Sequence, residues 1–189
     1  MIGEAMNVKA QGLLNAARWV RETYGEHALA DILAQCSEPV RERVRSGIAI
    51  NWNPIEEYVE FLGAAERLLG RNDGRIAEQA GSYGARVNMK PAIVRISVYL
   101  LRPEFLMRRV MGIWSQFNDE GEMRVLSFDE DGAQTELVGI RNPQWLFCCS
   151  LTGWARELAK TVAKEDATCK HVQCRGRGEP RCLWEIRWS

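Results

Sequence analysis

Four residues near the C-terminus have side chains that bind soft metal ions: Cys148, His171, Cys174 and Cys182. The whole chain of 189 residues has six cysteines and two histidines, so this short region holds a large share of both. Three thiolates and one imidazole complete the tetrahedral shell that structural zinc prefers. The sequence therefore predicts a structural Zn²⁺ that joins a helix to a hairpin, with these four residues as its ligands.

The spacing of these residues sets conditions on the local backbone. Gly176 and Gly178 allow the chain to turn back sharply, which brings Cys174 and Cys182 towards one point. On a regular strand His171 would face away from Cys174, because residues three apart lie on opposite faces. A β-bulge or a strand end between them is therefore required.

Other cysteines leave two alternatives open. Cys149 adjoins Cys148, and Cys169 would share a strand face with His171, so either could replace a member of the quartet. Alternatively, all of these cysteines are buried packing residues, since free cysteine behaves as a small apolar side chain.

Hydrophobic periodicity divides the chain into a helical part and a mixed part. Residues 1–118 predict mainly helices, including one over 7–23 that ends at Gly25, a second over 26–35, one over 55–70, and one after residue 74 that breaks near Gly81–Gly84. Residues 119–189 predict β-β-α-β-β, with a hairpin over 122–140, a helix opening at Asn142 and Pro143, and a C-terminal hairpin. We expect one α+β domain over residues 1–189 with a shared core.

Composition limits the classes of function. Lys and Arg together number 25 and balance 25 Asp and Glu, so charge does not favour direct nucleic-acid binding. Neither a signal peptide nor an apolar run of about 18 residues is visible, which predicts a cytoplasmic chain without a membrane span. Cysteines in that compartment stay reduced, which favours metal binding or burial over disulfides.

Two segments resemble a known family. The run from His171 to Cys182, preceded by the segment 148–154, resembles the 4-vinyl reductase (hydrocarbon-binding) domains, and in particular the sensor domains of phenol-responsive activators. In those relatives three cysteines and a glutamate hold structural zinc. Cys148, Cys174 and Cys182 match the cysteines, and His171 stands where the family has the glutamate.

Residues 1–118 resemble, more loosely, a family of myxobacterial single-domain proteins of similar length, through segments such as 52–58 and 102–106. The fold that the first resemblance implies is an α/β ligand-binding sandwich, which nitric-oxide-sensing heme domains share. The heme type itself is not matched, because the second histidine, His27, lies in an early helix where a solvated or capping role is the commoner one.

The resemblance implies a sensor that holds a hydrophobic small molecule in an apolar pocket, dimerises, and passes its signal to a protein partner. Large apolar side chains near the junction suit such a pocket, although each alone could be ordinary core. They are Tyr99, Phe105, Trp114, Phe117, Trp145, Phe147 and Trp154. The alternatives are a ligand-free dimerisation scaffold and a reductase-related enzyme. No catalytic constellation supports the enzyme, so we expect none.

Overall fold

The computed structural model describes residues 6–89, 113–162 and 166–188. Its helices are α1 (Gln11–Ala34), α2 (Glu38–Ser46), α3 (Ile55–Leu69), α4 (Arg75–Asn88) and α5 (Trp145–Val162), and residues 113–117 are also helical. Its strands are β1 (Asn7–Lys9), β2 (Trp52–Pro54), β3 (Glu122–Phe128), β4 (Gly132–Val138), β5 (Thr168–Gln173) and β6 (Cys182–Arg187). The predicted helices over 93–114 fall mostly outside the described residues.

The first helix bends at a glycine. Gly25 has φ 90° and ψ 171°, so the backbone leaves helical geometry there and resumes it in the next residue. A positive φ is open to glycine at little cost because it lacks Cβ. The sequence predicted two helices that meet at Gly25. The structure has a single helix that is interrupted there, which is close to the prediction.

The strands form two antiparallel sheets. β1 pairs with β2, and the larger sheet has the order β3-β4-β6-β5. Neighbouring β5 and β6 are joined through a short 3-10 turn at Arg175–Arg177, and β4 pairs with β6 so that Thr135 stands opposite Trp184. The expected β-β-α-β-β order is observed, whereas the three-residue strands β1 and β2 were missed because they are too short to show alternation.

The backbones of α4 and α5 are in close contact at two glycines. A Cβ on Gly81 would overlap the Ser150 carbonyl, and a Cβ on Gly153 would overlap the Glu78 carbonyl, so the two backbones touch at both points. The hydroxyl of Ser82 donates to the Gly153 carbonyl at 3.1 Å. Since α4 runs unbroken from Arg75 to Asn88, the predicted helix break near Gly81–Gly84 is wrong, and Gly81 allows the close approach of α5 rather than a turn.

The larger sheet lays one face against the helices. On β6 the side chains of Cys182, Trp184 and Ile186 are buried in alternation, and on β4 those of Thr135 and Leu137 are buried opposite them. This period-2 pattern is typical of a sheet with one packed face. Helices and sheet contribute to one hydrophobic core, as expected for an α+β fold with a helical N-terminal part.

None of the helices formed by the described residues is both long enough and apolar enough to cross a lipid bilayer.

Candidate functional site

A cavity lies where α1, α4 and α5 face the larger sheet. Its volume is about 180 Å³. That is slightly more than the ~150 Å³ apolar cavity that takes benzene in an engineered protein, and less than the ~300 Å³ at which sites for drug-sized ligands begin. The size suits a molecule of one ring.

Apolar side chains supply most of the described lining. The helices contribute from one side and the inner face of the sheet from the other. The large ones are Tyr58, Trp114, Phe117, Met123, Phe147, Leu151, Trp154, Leu158, Trp184, Ile186 and Trp188.

One buried polar pair faces the cavity. The hydroxyls of Tyr58 on α3 and Ser150 on α5 share a hydrogen bond of 2.7 Å. Burial raises the pKa of Tyr58 to about 12, so the phenol is uncharged at neutral pH. The pair can offer a ligand one neutral hydrogen-bonding position.

The other polar side chains of the lining are mostly engaged with protein groups. Asn88 accepts hydrogen bonds from Gln11 at 2.7 Å and from Asn15 at 3.4 Å. Lys9 is the charged residue of the described lining, and its ammonium contacts the Ile50 carbonyl at 2.7 Å and the ring of Trp52, neither of which lines the cavity. Since burying an unpaired charge is costly, the cavity disfavours charged ligands.

Of the predicted pocket residues, the structure places Trp114, Phe117, Phe147 and Trp154 in the lining. Trp145 is not in the described lining, and the Arg177 guanidinium stacks on its ring at 4.0 Å. Tyr99 and Phe105 lie outside the described residues.

Several lining residues were not foreseen, above all Tyr58 and the two tryptophans of the C-terminal strand region, Trp184 and Trp188. The alternation Cys182, Trp184, Ile186 is a usable signal, since it places Trp184 on the packed face of a strand. For Tyr58 the sequence holds only a helical apolar stripe, which does not distinguish core from cavity.

The four predicted metal ligands come together beside the first turn of α5. Cys148 belongs to α5, His171 to β5, Cys174 follows β5, and Cys182 begins β6. One ligand atom from each residue lies within 4.8 Å of the other three, and we call this group the Cys/His cluster. The three cysteines are buried and the Nε2 atom of His171 is buried without a hydrogen-bond partner.

An irregularity in strand pairing makes the cluster feasible. The register of β5 against β6 shifts between His171 and Gln173, so one residue of β5 is left out of the ladder. Such a bulge lets His171 and Cys174 point to the same place despite their odd spacing. The odd spacing of His171 and Cys174 predicted such a bulge, and the register shift confirms it.

The three thiols of the cluster interact strongly. Hydrogen bonds from the Cys148 and Cys174 thiols hold the pKa of Cys182 well below its ordinary value, and the backbone amide of Arg175 adds to this at 3.4 Å from the Cys182 sulfur. Hydrogen bonds with the sulfur atoms of Cys174 and Cys182 raise the pKa of the Cys148 thiol. A site that stabilises thiolate on one sulfur is suited to a cation.

The remaining cysteines do not join the cluster. Burial raises the pKa of Cys149 and of Cys169 to about 12 each, and Cys36 behaves likewise, with a pKa of about 11. Their sulfurs are outside the group of mutually close ligand atoms. They are buried thiols that pack within the hydrophobic core.

Comparison with known proteins identifies the fold. An H-NOX protein from S. oneidensis in the Fe(II)NO ligation state is similar to this chain with a TM-score of 0.70 at 10% identity, covering 96% of this chain and 99% of that one. An H-NOX structure from a study of heme distortion gives 0.69 at 14% identity, covering 96% and 95%. An unliganded Fe(II) H-NOX protein from K. algicida gives 0.65 at 10% identity, covering 96% and 97%.

These likenesses show a shared fold over nearly the whole chain. No protein-family model matches the sequence, and no curated protein matches it.

The resemblance to 4-vinyl reductase domains and to the myxobacterial proteins is therefore wrong as an assignment. The structural neighbours are H-NOX domains, and the segments 148–154 and 171–182 gave no family match.

The cofactor prediction is also corrected. Structural zinc was expected, whereas the neighbouring structures are described through heme or Fe(II). What the described residues retain is a Cys/His cluster with the composition of a metal site.

Heme in its turn does not fit the residues of this cavity. Heme iron is held by His, Cys, Met or Tyr side chains. Both histidines of the chain lie elsewhere, His27 exposed on α1 and His171 in the cluster, and the described lining includes no cysteine. The Tyr58 hydroxyl is hydrogen-bonded to Ser150, and Met123, the methionine of the described lining, has no histidine in that lining with which to form the Met/His pair of cytochromes c. The cavity volume is that of a single ring rather than a tetrapyrrole.

Proposed function

We propose that this domain is a sensor module that binds an uncharged, apolar small molecule in the cavity between the helices and the sheet. The observation that supports this most is an apolar chamber of about 180 Å³ whose described polar groups are mostly paired with one another or with other protein groups. A sensor fits the fold, because the neighbours of the same architecture include an H-NOX protein described in an Fe(II)NO ligation state. Dimerisation and a signalling partner stay predictions.

Toluene is a suitable probe for this proposal, because it has one ring, no charge and no hydrogen-bonding group. We expect saturable binding, detected by ligand-observed NMR and by an increase in Tm. Ala155→Phe should abolish it, since Ala155 lines the cavity and a phenyl group there would occupy the space. Ala30→Phe makes the same change at an exposed position of α1 and should leave binding intact.

Two results would overturn the proposal. One is the absence of toluene binding in the wild type. The other is equal binding by Ala155→Phe, which would move the site away from the cavity.

We also propose the Cys/His cluster as a binding site for a soft metal ion. An ion held at about 2.0–2.3 Å from each ligand needs the ligand atoms close to one another, and the four atoms here are. The buried, unpartnered Nε2 atom of His171 supports this, because buried nitrogen without a partner is costly and a metal ion would satisfy it. Elemental analysis of protein purified without chelator tests whether a metal is present and which one it is.

A further inference from the structure

The Cys/His cluster and the cavity are physically joined. Trp184 is 1% exposed and lines the cavity, and its indole ring stacks on the imidazole of His171 with centroids 4.4 Å apart and planes 7° apart. The two residues stand opposite each other in the ladder between β5 and β6. One wall of the cavity is thus also the support of a cluster residue.

A second connection runs through α5. The indole Nε1 of Trp184 donates to the hydroxyl of Thr152 at 2.8 Å, and that hydroxyl donates to the Cys148 carbonyl at 2.9 Å. Thr152 is itself buried and belongs to neither the described cavity lining nor the cluster. Trp184 is therefore held from two directions by cluster residues, His171 by stacking and Cys148 through Thr152.

The cavity meets the same turn of α5. Ser150, two residues after Cys148 and two before Thr152, contributes its hydroxyl to the polar pair with Tyr58. A shift of this turn would move a cavity wall and a cluster ligand together.

We infer that the cluster is an effector site: metal bound there tightens the cavity around its ligand by fixing His171 and, through it, Trp184. This rests on the proposed function of the cavity and on metal binding at the cluster. When an ion holds the imidazole, the ring that supports Trp184 can no longer rotate, and less side-chain freedom remains to be lost when a ligand binds. Thermodynamic linkage then requires the reverse effect, because a ligand in the cavity must raise the affinity of the cluster for metal by the same factor.

Cobalt(II) and toluene are the probes for a test. Cobalt bound by thiolates absorbs in the visible range, which reports cluster occupancy separately from cavity occupancy. We expect toluene to bind about fivefold or more tightly to the cobalt-loaded protein than to the metal-free protein, and saturating toluene to lower the cobalt Kd by the same factor.

Thr152→Val separates coupling from binding. It keeps the shape of the side chain but removes the hydroxyl between Trp184 and Cys148, so it should reduce the coupling factor while both probes still bind. Thr161→Val is the matched control, because Thr161 also lies on α5 and also donates to the carbonyl four residues before it, at 2.9 Å, outside the path. It should retain wild-type coupling.

The outcomes are distinguishable. If toluene and cobalt both bind but neither changes the affinity of the other, this inference is wrong and the proposed function stands. If cobalt does not bind, the effector site is wrong. If toluene does not bind at all, the proposed function fails first. Equal loss of coupling in Thr152→Val and Thr161→Val would also contradict a path through the Thr152 hydroxyl.

Discussion

At the scale of single residues, the cysteines of this chain fall into two groups. Cys148, Cys174 and Cys182 lie together with His171, whereas Cys36 is buried apart from them against the Ile32 carbonyl at 3.3 Å. Residue type alone does not distinguish the two groups in the sequence. Only the turn glycines and the helix position of Cys148 separate them before the structure is known.

Cys174→Ser should weaken metal binding and lower stability in the presence of metal. An ion present at 100 times its Kd stabilises the native state by about 2.7 kcal/mol, and the variant should lose most of that. Urea unfolding with and without cobalt(II) measures the difference. Cys36→Ser is the control and should show the full metal effect; a metal-dependent gain in Cys174→Ser equal to that of wild type would contradict the cluster.

Because Tyr58 is buried as a neutral phenol, we expect the protein to lose stability at alkaline pH. The pKa of its phenol is near 10 in the unfolded chain but about 12 when folded, so the unfolded state is increasingly favoured between these values, by up to about 1.4 kcal/mol per pH unit. Below pH 10 the contribution is fully present. Tyr58→Phe lacks the titrating group, so its deficit relative to wild type should shrink as pH rises from 10 to 12, as measured by urea unfolding at each pH. A constant difference would contradict the burial of this phenol.

At the scale of elements, backbone contact between α4 and α5 positions both sites. Gly81→Ala and Gly153→Ala each place a methyl group against a carbonyl of the other helix and should destabilise by about 1–3 kcal/mol or more. Gly84→Ala is the matched control in α4, because its Cβ would meet only Asn15 at an ordinary 3.6 Å. There the helix propensity of alanine should make the change neutral or stabilising by up to about 1 kcal/mol. Thermal and urea unfolding decide between the two behaviours.

Gly25 and Gly81 show where the sequence-based predictions succeeded and where they failed. At Gly25 a helix stop was predicted and the backbone does break, with a positive φ. At Gly81 a break was also predicted, yet the helix continues, because the glycine meets the Ser150 carbonyl of a helix far along the chain and local patterns do not contain that contact. The bulge after His171 could be stated as a condition for the cluster, since the strand period demands it.

At the scale of the whole molecule, the chain shares the fold of the H-NOX structures, whereas its cavity does not fit their heme cofactor. The α+β arrangement could be predicted from periodicity, and the shared fold spans nearly the whole chain. The cavity could not be predicted, because Trp184 and Tyr58 come together only through the packing of β6 and α3 on α5. From their residue types alone, Trp184 and Tyr58 would both be assigned to the hydrophobic core.

The chain should not form the spectrum of a His-ligated heme protein. Neither histidine reaches the cavity, so added hemin should give no sharp, stoichiometric Soret band and should not displace toluene. An absorption titration followed by a toluene competition experiment measures both. Stoichiometric hemin binding that His171→Ala removes would contradict this prediction, and His27→Ala is the control for nonspecific surface binding.

The glycine contacts between α4 and α5 also limit how this chamber can change shape. At Gly81 and Gly153 the two backbones touch with no side chain between them that could rotate or be replaced by a smaller one, so the boundary has a fixed position at these points. Room for a bulkier guest has to come from the opposite walls, which α1 and the sheet supply. Attempts to re-engineer the chamber for new guests should therefore vary those walls and leave the α4–α5 contact as it is.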